Sequence, residues 1–312
     1  MKINRGFIYS ILSVILPILL RLIFLRFISY SMDEGVYGRI LYFETILAAL
    51  TQVIYSIPSQ SFNKFFNSSS KEKFIPEFHG LYIIINIIVV IITLVLFFTG
   101  VLEIESELLI IFFLYLFILS IFNTSRDQSL LELKRIKYLR FKLIESVSKF
   151  LLPILFYVLF KSIESYFFGI LMGLLIGTLI SYKSIRFNLN LDIIRLKKYW
   201  VFASPIALTA LFSWSISLSD RFFIEYFFGE SKLGVYGILY QVSFLPLILG
   251  TLFNNYASPI IFKIHSEDKY IAFKKLFYYI KISAILLLVL LVSLILIPKE
   301  TFYLLINSEI LA

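Results

Sequence analysis

Gly35-Val36-Tyr37-Gly38 is repeated as Gly234-Val235-Tyr236-Gly237, 199 residues further along a chain of 312. Each copy opens an apolar helix and directly follows another. The same shift sets Pro58 beside Pro259 and lays the stretch 79–99 on 278–298. A repeat of this kind, carried by segments rather than by one tetrapeptide, reads as two like-oriented bundles made by duplication. In membrane proteins that organisation belongs to transporters.

Hydropathy sets the solvent. The chain is 60% hydrophobic with a mean hydropathy of +0.91, more apolar surface than a water-soluble core uses. Apolar runs long enough to cross a bilayer predict helices at about 6–28, 36–57, 79–99, 108–124, 143–160, 162–182, 200–228, 233–256 and 276–297, nine complete spans. The fold expected is an all-α integral membrane protein of two six-helix lobes, residues 1–188 and 189–312. A second lobe as long as the first would run to roughly residue 395. Ending at Ala312, it holds helices seven to nine and is read as truncated.

The charges are sorted by loop. Lys2 and Arg5 precede the first helix, Lys64, Lys71 and Lys73 follow the second, and Arg126 to Lys142 follow the fourth. Arg186, Arg195, Lys197 and Lys198 follow the sixth, and Lys263, Lys269, Lys274 and Lys275 follow the eighth. The alternate loops are nearly bare of cations. Cationic loops stay inside, so the N-terminus is expected in the cytoplasm, and a bacterial cytoplasmic membrane is the expected location. The formal +9 charge therefore reports topology and not nucleic-acid binding. With no cysteine, thiolate and disulfide chemistry are excluded. No phosphate-binding glycine loop, Gly-x-Ser-x-Gly or His-Glu-x-x-His occurs, so no enzyme, metal site or cofactor is expected. His79 and His265 fall at loop edges and read as solvated.

Ionisable groups inside spans carry function by default, since burying one there costs at least ~2.5 kcal/mol. Helix one sets Ser10, Ser13, Pro17 and Arg21 along one face, with Arg26 beyond. Helix seven sets Thr209, Ser213, Ser217 and Asp220 on one face, then Arg221 and Glu225. The 199-residue shift lays Asp220 on Arg21 and Glu225 on Arg26, which makes one half of a cavity cationic and the other acidic. Helix two carries Glu44, Gln52, Tyr55 and Ser59; helix eight carries Ser243, Thr251, Asn254 and Ser258. Such stripes suit a hydrated wall. Arg21, Arg26, Lys149, Gln52 and Asn254 are the candidate substrate contacts, Asp220 and Glu225 the candidate ion-coupling acids. Arg21 paired with Glu44 as a structural ion pair is the competing account.

The segment from Leu218-Ser219-Asp220-Arg221-Phe222 to Phe228-Gly229, followed by Leu233-Gly234-Val235-Tyr236-Gly237-Ile238-Leu239-Tyr240-Gln241, resembles helices seven and eight of Wzx-type polysaccharide flippases, members of the multidrug/oligosaccharidyl-lipid/polysaccharide exporter superfamily. Glu34 to Gly38 resembles the matching turn of the first half. The resemblance implies two six-helix lobes around a central cavity. It also implies movement of an undecaprenyl-diphosphate-linked oligosaccharide between leaflets of the membrane lipid for surface polysaccharide (lipopolysaccharide or capsule) synthesis, with H+ or Na+ as coupling ion. A cation-coupled multidrug exporter of the same superfamily is the alternative, recognising its substrate through Asp220 and Glu225. A membrane polymerase or acyltransferase would need a long external loop with catalytic side chains, and the external loops here are short.

Overall fold

The computed structural model describes residues 5–100, 104–180, 187–189, 191–243, 257, 260–261, 264–265, 268–296, 303, 306–307 and 310. Among them every regular element is a helix: α1 (Arg5–Ser31), α2 (Glu34–Ala49), α3 (Ser56–Phe65), α4 (Lys71–Phe98), α5 (Ser106–Leu131), α6 (Arg135–Ser146), α7 (Leu152–Phe160), α8 (Ile163–Ile180), α9 (Ile193–Leu218), α10 (Asp220–Ser243) and α11 (Lys269–Leu296). Six helical stretches among the described residues are long and apolar enough to cross a membrane, or seven with the bent pair α2 and α3 taken as one span. The chain is an all-helical, multi-pass membrane protein. The predicted eighth span is described only as far as Ser243, and α11 covers the ninth.

Most helices run past the apolar windows that announce them. The third was expected from residue 79 and begins at Lys71; the fifth was expected from 143 and begins, as α6, at Arg135. Hydropathy reports where hydrocarbon would end. The backbone keeps its hydrogen bonds by continuing as helix beyond that level, where Lys and Arg reach water.

Two spans are interrupted by single π-helical turns, Leu50–Ile54 between α2 and α3 and Val147–Leu151 between α6 and α7. At the first, the axis bends by 42°. Hydroxyls back-bond to the helix on both sides of it, Thr51 to the Leu47 carbonyl at 2.8 Å and Ser56 to that of Val53 at 2.6 Å, a pattern that bends helices. The second lies just before Pro153, which offers no N–H to the carbonyl four residues back. Gly229, at φ 81° and ψ 173°, breaks α10 into two arms where the predicted seventh span ends.

Helices α1, α2 and α4 to α8 pack around Phe24, Ile28, Ile40, Phe43, Phe112, Phe122, Phe167 and Leu174. The next two helices lie along one side of this bundle. The second arm of α10 makes its most extensive contact with α2. At the opposite end α9 joins α3 through rings of Phe62, Phe66, Phe74, Phe78 and Tyr199, with the Ser61 hydroxyl on the Tyr199 carbonyl at 3.2 Å. The outward faces of α9 to α11 remain apolar: Ile216 is 84% exposed, Tyr226 80% and Leu288 65%. Hydrocarbon is the solvent such surfaces suit.

The repeated tetrapeptides meet each other. A Cβ on Gly38 would lie 1.8 Å from the Glu230 carbonyl oxygen, and one on Gly234 would lie 1.9 Å from that of Glu34. Only glycine lets the two backbones approach so closely. Nearby, Ser231 donates to Glu34 Oε2 at 3.2 Å and Arg39 pairs with Glu105 at 2.8 Å.

Candidate functional site

A cavity of about 310 Å3 opens within the first bundle. Arg21 of α1, Glu44 of α2, Thr51 and Gln52 of the first π turn, Lys149 of the second, Tyr115, Tyr166 and Gln241 supply its polar wall, and Phe24, Phe150 and Phe167 its apolar one. Both π turns thus present side chains to one space. A π turn rotates its residues out of the α-helical register, and such turns recur at functional sites.

A second cavity, about 430 Å3, lies between α9 and the first bundle. Ser56, Ser59, Gln60, Asn123, Arg126 and Asp127 face Thr209 and Ser213 across it, and Thr51 and Gln52 belong to both cavities. The polar stripes of helices two and seven therefore line one space.

A chain of hydrogen bonds ties the first cavity to α10. Arg21 Nε donates to Gln241 Oε1 at 2.7 Å, and Gln241 Nε2 donates to the Tyr37 hydroxyl at 3.3 Å. The Tyr166 hydroxyl donates to Glu44 Oε1 at 3.1 Å. Lys149 Nζ lies 3.0 Å from Glu145 Oε1, one turn earlier on the same helix.

Of the residues singled out from the sequence, Arg21, Gln52 and Lys149 come together at this cavity. Arg26 does not: it is exposed on the outer side of α1, its guanidinium 5.5 Å from the Tyr30 ring. Asp220 and Glu225 line neither cavity. Asp220 takes the Tyr236 hydroxyl, and its Oδ1 is buried without a hydrogen-bond partner. Asn254 lies outside the described residues. His79 corrects the solvated reading. It is 2% exposed, because α4 starts two turns before the expected boundary and the Phe187 ring covers it at 5.7 Å.

Sequence reasoning passed over three charged groups. Arg221, treated only as the neighbour of Asp220, is 7% exposed; it reaches Thr45 Oγ1 at 3.4 Å and lies 5.2 Å from the Tyr240 ring. Adjacent helical residues point apart, so Asp220 and Arg221 separate onto different partners. Which of them turns inward depends on where α2 lies, and no local signal gives that. Glu145 and Arg126 were not singled out as site residues either. Glu145 was readable, since a Glu four residues before a Lys is a favoured helical pair. Arg126 was read as a loop charge because α5 runs seven residues past the expected end of its span.

No protein-family model and no curated protein matches the chain. Among solved structures, the crystal structure of MATE in complex with Br-NRF matches with a TM-score of 0.67 at 16% identity, over 93% of this chain and 76% of that one. At that identity the likeness speaks for the fold alone, a MATE-like fold.

Proposed function

We propose that the chain is a transporter that moves an undecaprenyl-diphosphate-linked oligosaccharide across a bacterial cytoplasmic membrane, its N-terminus in the cytoplasm. Residues 1–188 form the first lobe and residues 189–312 belong to the second. The observation that carries this reading is the sign of the first cavity. With the ion pairs attached to Lys149 included, its wall holds four cationic side chains, Arg21, Lys149, Lys142 and Arg126, against three carboxylates, Glu44, Glu145 and Asp127. In a low-dielectric wall that balance favours an anionic head over an organic cation. A diphosphate meets Arg21 through a forked guanidinium and Lys149 through an ammonium. Amides and hydroxyls at Gln52, Thr51 and Gln241 suit the sugars, and the polyprenyl tail stays in lipid. Asp220 serves as the coupling acid for H+ or Na+, with Glu225 on the same arm, and Arg26 receives the head at the outer surface.

A second reading rests on Glu44 and the aromatic wall. A carboxylate beside Tyr115, Tyr166, Phe24 and Phe150 also fits an organic cation, and the fold is shared with MATE. Proteoliposomes separate the two. With a fluorescent undecaprenyl-diphosphate sugar, the chain should expose label to an external quencher, and Arg21→Ala should abolish this. Absence of lipid transfer, together with gradient-driven ethidium movement that Glu44→Gln removes, would establish the exporter instead.

A further inference from the structure

Glu145 stands between the two cavities. Its Oε1 holds Lys149 Nζ at 3.0 Å, while its Oε2 holds Lys142 Nζ at 2.8 Å and Arg126 Nη1 at 3.2 Å. Arg126 in turn holds Asp127 at 3.0 Å. Three cations share two carboxylates inside the bundle, which leaves one positive charge in excess. The side chains of Glu145, Arg126 and Lys142 are 12%, 20% and 20% exposed, whereas Lys149 keeps 45% of its surface open and lines the first cavity.

We propose that Glu145 is a resident counter-anion for Lys149, from which a phosphate of the substrate takes the lysine when it enters the first cavity. This rests on the lipid-diphosphate reading and adds to it how Lys149 is held when the site is empty. The two carboxylate oxygens divide the work. Lys149 is alone on Oε1, so its departure leaves Glu145 still held by two cations on Oε2 and does not orphan a buried charge. Its flexible stem and three rotatable donors let the ammonium turn from one anion to another without moving the helix. An incoming phosphate also balances the surplus charge. Between cycles, Lys149 back on Glu145 hides its charge, so the unloaded carrier can change conformation with less exposed charge in the membrane.

The test is binding of farnesyl diphosphate, with farnesol as control, to the purified full chain in detergent, followed by thermophoresis. If Glu145 competes for Lys149, Glu145→Gln should bind the diphosphate roughly tenfold tighter and Lys149→Ala roughly tenfold more weakly, the scale of one charge-assisted hydrogen bond. In the Lys149→Ala background, Glu145→Gln should add nothing. Tighter binding by Glu145→Gln that persists without Lys149, or no change on removing Glu145, overturns the counter-anion role and leaves the flippase reading intact. If Glu145→Gln does not fold, Lys149→Gln decides: affinity equal to that of the unaltered chain overturns the proposal. Farnesyl diphosphate binding no better than farnesol in every version would sink the lipid-diphosphate reading itself, and this inference with it.

Discussion

Replacing Gly38 or Gly234 by alanine adds one methyl group at the tightest approach between the second arm of α10 and the first bundle. The obstacle in both cases is backbone, the Glu230 carbonyl at 1.8 Å and the Glu34 carbonyl at 1.9 Å. Ordinary contact begins near 3.4 Å, so α2 and α10 must part by about 1.6 Å at Gly38 and about 1.5 Å at Gly234. Overpacking of this kind costs ~1–3 kcal/mol. Separation also stretches the Ser231 bond to Glu34 and the approach of Arg39 to Glu230 at 3.9 Å; the hydrogen bond alone is worth ~1 kcal/mol. Two alanines in the same series act as controls. At Gly237 the obstacle is Leu41 Cδ1, the free end of a side chain that can turn away, and at Gly35 the nearest atom is Asp33 Oδ1 at 3.2 Å. Melting in detergent should therefore fall by several degrees for Gly38→Ala and Gly234→Ala, and by much less for Gly237→Ala and Gly35→Ala. Because the chain has no cysteine, the pair Glu34→Cys with Ser231→Cys reports the helix contact directly. Its oxidative cross-link should form readily in the parent and poorly when Gly38 is alanine. Four equal melting points, with the cross-link unaffected, would refute the view that the repeated glycines serve backbone contact between the halves.

Gly229→Ala places a side chain in backbone at φ 81° and ψ 173°, which costs ~1–3 kcal/mol; nothing crowds its Cβ, so the loss should appear as a lower melting point and not as a clash that a smaller neighbour relieves. Phe78→Ala removes a fully buried ring from the cluster that joins α3, α4 and α9 and should cost about 3–5 kcal/mol, read as loss of folded protein on detergent extraction. Asp220→Asn keeps a partner for Tyr236 but cannot exchange a proton; diphosphate binding should persist while gradient-driven transfer falls, and unchanged transfer would remove Asp220 as the coupling group. For orientation, a reporter active only outside the cytoplasm should be positive when fused after residues 31, 162 and 231 and negative after 69 and 136, and one inverted neighbouring pair would overturn the assignment from loop charge.

What the sequence determined by itself is what depends on a residue and its near neighbours. Hydropathy over some twenty residues fixes where a chain crosses hydrocarbon, so the spans around 6–28, 108–124 and 162–182 correspond to α1, α5 and α8. Helical spacing fixes which side chains share a face, so Gln52, Tyr55 and Ser59 could be grouped, as could Thr209 and Ser213, before any neighbour was known. The sequence also contained the glycine pair, though not its purpose. The tertiary structure decided what those faces meet. It set Gly38 on the Glu230 carbonyl, turned Arg221 inward and Asp220 to Tyr236, and brought Lys149 and Arg21, 128 positions apart, to one cavity. It buried His79 under Phe187, because helices in this protein continue past the level at which hydropathy stops speaking. Polarity and periodicity are local quantities, whereas a cavity and the sign of its wall arise only when distant helices are set side by side.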